Sequence, residues 1–143
     1  YRKGMSLANT ENYAAAIQIF KNVRIRLKEG HPKKAVWLNN MASNISKADS
    51  FDLALSFINE AISIDSTDNF FWGTKAEIYG RMGEKEAFFL WLEKALEKGY
   101  DFIGPAENPM EYLQEEPYVT YFNEPEFVQL RQRFETLYPK LEM

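Results

Sequence analysis

The sequence predicts an all-α fold: a stack of about three helix pairs closed by a capping helix at the C-terminal end. Two internal offsets and one missing pattern predict it. At an offset of 34 residues, Leu38, Ala42, Ile45, Ile58, Ala61 and Ile62 recur as Trp72, Ala76, Tyr79, Leu92, Ala95 and Leu96. At an offset of 38, Leu7, Tyr13, Ala16, Phe20 and Val23 recur as Ile45, Phe51, Ala54, Ile58 and Ala61. No strand-like alternation of useful length occurs anywhere. A shared period means one supersecondary unit used repeatedly. A stacked repeat has no built-in catalytic site, and what it naturally offers is a binding surface.

The elements follow in order. Tyr13, Ala16, Ile17, Phe20, Val23 and Leu27 step by three and four and make one stripe of a helix. Gly30 stops it, and Pro32 suits the first turn of the next helix. That helix carries Val36, Leu38, Met41, Ala42 and Ile45, followed by a polar turn at Lys47–Ser50 with Ser50 as an N-cap candidate. Phe51, Ala54, Leu55, Ile58, Ala61 and Ile62 form the next amphipathic helix. Asp65–Asn69 is a turn cluster rich in capping residues. Phe71, Trp72, Ala76, Ile78 and Tyr79 open the third pair, Gly83 breaks it, Ala87–Leu96 form its second helix, and Gly99 ends that helix.

These residues resemble the tetratricopeptide repeat (TPR). The third unit shows the pattern as Trp72, Ala76, Tyr79, Gly83, Leu92 and Ala95. The second shows it as Leu38, Met41, Ala42, Ile45, Phe51, Ala54, Ile58 and Ala61. The first starts mid-repeat with Gly4 and Leu7, then Tyr13, Ala16, Phe20 and Val23. Small residues let helices approach and large ones fill the gaps. The resemblance covers residues 1–99 and implies a right-handed helical-repeat stack. Several positions depart from it. Lys75 stands where an apolar residue is usual, Phe88 where a small one is, and Ser66 replaces the terminal proline. About four extra residues lie around Lys28–Lys34.

Residues 100–143 do not repeat and are assigned to the same domain as a C-terminal loop and cap. Gly104, Pro105 and Pro109 predict a loop with at most a short helix near Met110–Gln114. Asn123 and Glu126 resemble a capping box, with Pro125 in the first turn. Phe127, Leu130, Phe134 and Leu137 then line a closing helix that ends near Tyr138.

A chain of 143 residues that is 45% hydrophobic and 15% aromatic has ample core material for one domain, able to bury ~68% of its unfolded surface. No apolar run reaches the ~20 residues of a membrane span. The absence of cysteine excludes disulfides, thiolate metal sites and cysteine nucleophiles. The chain opens with Tyr1, so upstream sequence is expected. The cytoplasm is the favoured compartment, though a lost targeting signal leaves it open. Net charge is −4, unevenly spread. Six basic residues between Lys21 and Lys34 face Glu29 alone, and 101–126 hold seven acidic residues with no Lys or Arg. This asymmetry reads either as a partner surface or as two solvated faces.

Catalytic, cofactor and metal chemistry find little support. His31 is the only histidine and lies in a turn beside Pro32. Glu115 and Glu116 are adjacent and would not face each other on a helix. Gly80 and Gly83 mark a helix stop, not a phosphate-cradling loop. Trp37, Trp72 and Trp91 fall in or beside helical stripes, as core tryptophans do. Lys21, Arg24 and Lys28 would line one exposed strip open to a polyanion, but no aromatic platform accompanies them.

The resemblance implies that the first helix of each pair lines a concave face where peptides bind. The candidates are Val36, Asn39, Asn40, Ser43 and Lys47 on the second unit, and Phe70, Gly73, Thr74, Glu77 and Arg81 on the third. Tyr1, Arg2 and Met5 belong to the truncated first unit. Of the Lys, Asn and Arg set with which some members hold a partner's C-terminal carboxylate, only Asn40 is matched, so that mode is disfavoured. The expected function is a non-catalytic protein-protein interaction scaffold. The alternative is self-association or intramolecular docking through the half-repeat at Tyr1, and a distant one is polyanion binding through 21–34.

Overall fold

The computed structural model describes residues 10–100 and 116–137, with side chains for 14–100 and 116–133. Seven α-helices and no strand occur among them. They are α1 (Thr10–Arg26), α2 (Lys34–Lys47), α3 (Phe51–Ile64), α4 (Asn69–Met82), α5 (Lys85–Glu97), α6 (Tyr118–Tyr121) and α7 (Pro125–Leu137). α2 packs along α3, and α4 packs along α5. α4 also touches both α2 and α3, α7 touches α5, and α1 touches α2. The expected contributions of Leu7, Tyr13, Met110–Gln114, Phe134 and Leu137 fall outside the described backbone or side chains.

The two hairpin turns are built alike. Asp49 (φ 64°) and Gly83 (φ 82°), 34 residues apart, both adopt the left-handed conformation. The next amide in each case reaches back five residues: Ser50 N–H donates to Ile45 O at 3.3 Å, and Glu84 N–H to Tyr79 O at 3.0 Å. This closure satisfies carbonyls that a helix end would otherwise leave unpaired. Ser50 occupies the N-cap position of α3 without a side-chain cap bond. Asp68 does cap α4, its carboxylate accepting from Phe70 N–H at 2.9 Å. Pro32 precedes the helix it was expected to start. His31 Nδ1 accepts from Lys33 N–H at 3.1 Å, Lys33 takes the N-cap position, and α2 begins at Lys34.

Two hydrophobic cores result. One holds Leu38, Met41, Ala42 and Ile45 of α2, Ala54, Phe57, Ile58 and Ala61 of α3, and Phe71 and Ile78 of α4. Ile17, Phe20 and Leu27 of the α1 region lean on it. Val23 is exposed, because the seam of α1 runs through Arg24 instead. The Arg24 guanidinium lies 4.4 Å over the Phe57 ring, bonds Glu60 at 2.8 Å and Ser56 at 3.0 Å, and is half-buried. The expected exposed strip of Lys21, Arg24 and Lys28 therefore loses its middle member. Lys34 is also taken inward. Only 4% exposed, it lies 2.9 Å from Glu29 and 3.4 Å from Glu60. The bond from Glu29 raises the Lys34 pKa against the opposing effect of burial. Glu60 thus ties α1 and α2 to α3.

The second core is aromatic. Phe88 of α5 is fully buried and meets Tyr121 at 4.9 Å, Phe89 at 5.3 Å, Tyr118 at 5.9 Å and Phe127 at 6.3 Å. This explains why a large residue stands where the repeat pattern wants a small one. Gly80 across the hairpin supplies the room, since a Cβ there would meet Phe88 at 2.9 Å and Pro117 at 2.6 Å. Lys75, the other departure, is half-buried with its ammonium 3.9 Å over Trp91, and desolvation lowers its pKa. The cap begins earlier than expected. α6 puts Tyr118 and Tyr121 into the core, and α7 starts at Pro125, one residue out of phase with an Asn123–Glu126 capping box.

Candidate functional site

α2 and α4 run side by side in the same direction. In the last turn of each, Arg81 Nη1 donates to Ser46 Oγ at 2.8 Å, which aligns the two C-terminal ends. Val36, Asn39, Asn40, Ser43 and Lys47 on α2 and Phe70, Thr74, Glu77 and Arg81 on α4 therefore belong to two neighbouring helices, though their surroundings differ.

On α2 the strip is largely open. Val36 is 45% exposed, Asn40 and Lys47 are exposed, and Asn39 and Ser43 are half-buried. Asn39 Nδ2 donates to Asn40 Oδ1 at 3.3 Å while its own Oδ1 is buried, so Asn40 presents the exposed amide of the pair. Such side chains suit hydrogen bonding to an extended peptide backbone.

On α4 the chain's own C-terminal part covers the matching positions. Phe70 meets the Tyr100 ring edge-on at 6.0 Å yet remains 64% exposed. Gly73 lies under the same ring, where a Cβ would stand 2.5 Å from Tyr100 Cζ. The Glu77 carboxylate accepts from Tyr100 Oη at 2.9 Å and from Tyr118 Oη at 2.6 Å. Arg81 Nη2 donates to Glu116 O at 3.4 Å. Thr74 is half-buried. The repeat pattern signals none of these contacts, because Tyr100 and Tyr118 lie beyond its last unit.

A cleft of about 510 Å³ opens where the ends of α2 and α4 meet the Glu116–Tyr121 turn. Lys47 and Arg81 line it as cations, Asp49 and Glu116 as anions, with Tyr121 at its wall. The mixed charge selects no one sign of ligand. Burial raises the Tyr121 pKa, chiefly by desolvation. Arg81 pairs with no carboxylate among the described residues, since its partners are a hydroxyl and a carbonyl.

Elsewhere, the ring of His31 packs 4.9 Å from that of Trp37. Trp37 is exposed and Trp72 and Trp91 are half-buried, so none is a fully buried core residue. Glu116 is exposed and accepts from Thr120 Oγ1. Among the described residues no group of three or more His, Asp or Glu is placed to hold a metal ion. No described helix is long and apolar enough to cross a membrane. No family model, curated protein or solved structure matches the chain.

Proposed function

We propose that this chain is a non-catalytic, TPR-like interaction module that binds a peptide or protein segment along α2. The observation that carries this reading is the contrast between α2 and α4. Two co-directional helices present corresponding outer faces; among the described residues the one on α4 is covered from within, while on α2 Val36 and Asn40 stay exposed. Val36, Asn39, Asn40 and Ser43 form a strip with one apolar contact and several hydrogen-bonding groups, a composition suited to an extended segment. The recurrence of the left-handed turn at a spacing of 34 residues supports the repeat character of the stack. Phe70 and the Arg81–Lys47 cleft extend the strip at its two ends.

A random peptide display library selected against the full chain tests this. Enriched peptides should lose about two- to tenfold in affinity for Asn40→Ala, the loss expected from one neutral hydrogen bond of ~0.5–1.5 kcal/mol. Peptides that bind Asn40→Ala and Val36→Ser unchanged would place the site elsewhere. A self-association module is the second reading. A concentration-dependent mass in light scattering would favour it.

A further inference from the structure

Three lysines converge on two tryptophans at the α4–α5 hairpin. Trp72 and Trp91 stack with centroids 5.5 Å apart. Lys75 Nζ lies 3.9 Å over the Trp91 ring, Lys94 Nζ 5.9 Å over the same ring, and Lys98 Nζ 4.9 Å over Trp72. Trp72 is anchored in turn by its indole N–H, which donates to Ser66 O at 2.9 Å.

None of the three ammonium groups pairs with a carboxylate among the described residues. Two acids of α5 are engaged elsewhere: Glu93 and Glu97 share the guanidinium of Arg133 of α7, at 2.6 and 3.2 Å. Lys94, in the last turn of α5, and Lys98, at its C-cap, are both exposed and four positions apart. A ring face holds an ammonium in place without cancelling its charge. Among the described residues the patch is therefore a set of pre-positioned cations with no carboxylate in ion-pair contact.

We propose that this Lys–Trp patch is a docking surface for an acidic, extended segment of a partner protein. In an extended segment, side chains on one face recur every ~7 Å, so acidic side chains at alternate positions face the patch together. A nucleic acid fits less well. Each indole already carries a second ring and at least one ammonium over its faces, so a base finds no free stacking platform. The depressed pKa of Lys75 fits the same picture, since a carboxylate at its ammonium would offset the desolvation. The patch lies on α4–α5, away from the open strip of α2, so its test does not depend on the α2 reading.

The test uses the full chain in a Trp37→Phe background, so that tryptophan emission reports only Trp72 and Trp91. The probe is a synthetic decapeptide of alternating Glu and Ala, with single-stranded oligothymidine as a second probe. The expected result is a saturable change in emission with the Glu peptide that weakens as salt rises. The double variant Lys94→Gln/Lys98→Gln should weaken it about tenfold or more. Both lysines are exposed, and circular dichroism checks that the fold is kept. The variant Lys21→Gln/Lys28→Gln, with the same change in net charge, should bind as the parent does. Three results would overturn the proposal: no saturable change, an equal loss in both double variants, or tighter binding of oligothymidine than of the Glu peptide.

Discussion

Arg81 and Ser46, 35 residues apart, share one hydrogen bond of 2.8 Å that locks the last turn of α4 to the last turn of α2. The same guanidinium reaches the Glu116 carbonyl at 3.4 Å. One side chain therefore links both hairpins and the start of the C-terminal cap. Arg81→Ala should cost about 1–3 kcal/mol, the range for losing hydrogen bonds to a charged group. Arg81→Lys should recover little, because an ammonium does not reproduce the guanidinium fork. Urea unfolding of the two variants checks this, and a fully rescued lysine variant would contradict it.

Gly80→Ala sets two effects against each other. Alanine favours the helix by about 1 kcal/mol over glycine. Its Cβ, however, would stand 2.6 Å from the Pro117 ring and 2.9 Å from Phe88, both held in the packed core. Overpacking of this kind costs about 1–3 kcal/mol, and the proline ring has no rotamer with which to escape. The clash should win. Net destabilisation is expected, together with faster hydrogen exchange in α6.

Glu60→Ala removes the one carboxylate that receives Arg24 from α1 and Lys34 from α2. A loss of about 1–3 kcal/mol is expected, with Arg24 left over the Phe57 ring without its acid. The local signature is specific. Amide exchange in α1 should rise more than in α4 or α5, because α1 has few other contacts among the described residues. Uniform loosening of all the helices would contradict this.

Asp49→Gly should stabilise. Asp49 sits at φ 64°, where glycine carries no Cβ penalty, and Gly83 already fills the equivalent turn. A gain of about 1 kcal/mol is the order set by the cost of a left-handed L-residue. A thermal shift in the opposite direction would show that the Asp49 carboxylate contributes more than its backbone costs.

Lys75 gives the chain an alkaline signature. Burial lowers its pKa from the ordinary 10.5. Between the folded value and 10.5 the unfolded chain holds a proton that the folded chain has released, so stability rises with pH across that window. The charged form bears the desolvation cost below the window, and that cost is lifted above it. Lys75→Met should remove the rise. The stability of the parent minus that of the variant should therefore increase with pH in denaturant titrations, and a flat difference would contradict the assignment.

The helices were legible in the sequence because apolar steps of three and four report a buried stripe directly. Leu38, Ala42, Ile45, Ala54, Ile58, Ala61, Leu92 and Ala95 are all buried where the repeat placed them. Arg24 was not legible. A cation in a basic run reads as solvated, and only the ring of Phe57 and the acid at Glu60 draw it into the seam. Phe88 looked like a misfit because its partners, Tyr118, Tyr121 and Phe127, lie outside the repeat. The inner half of the expected binding face was hidden for the same reason. Glu77 has the character of a solvated helix residue, and the two phenols that claim it are 23 and 41 positions away. Periodicity reports contacts within and between units and is silent on what a tail does to them.

α4 gives Phe71 and Ile78 to one core and Ala76 to the other. The two cores share a wall without merging into one volume. In the language of cooperativity, this helix is the coupling between the two cores. Neither core has a complete boundary without it. If the aromatic end melts, one flank of α4 is bared to water, and the cost of that exposure also falls on the aliphatic end. Order at the cap therefore reaches α2 along a single helix.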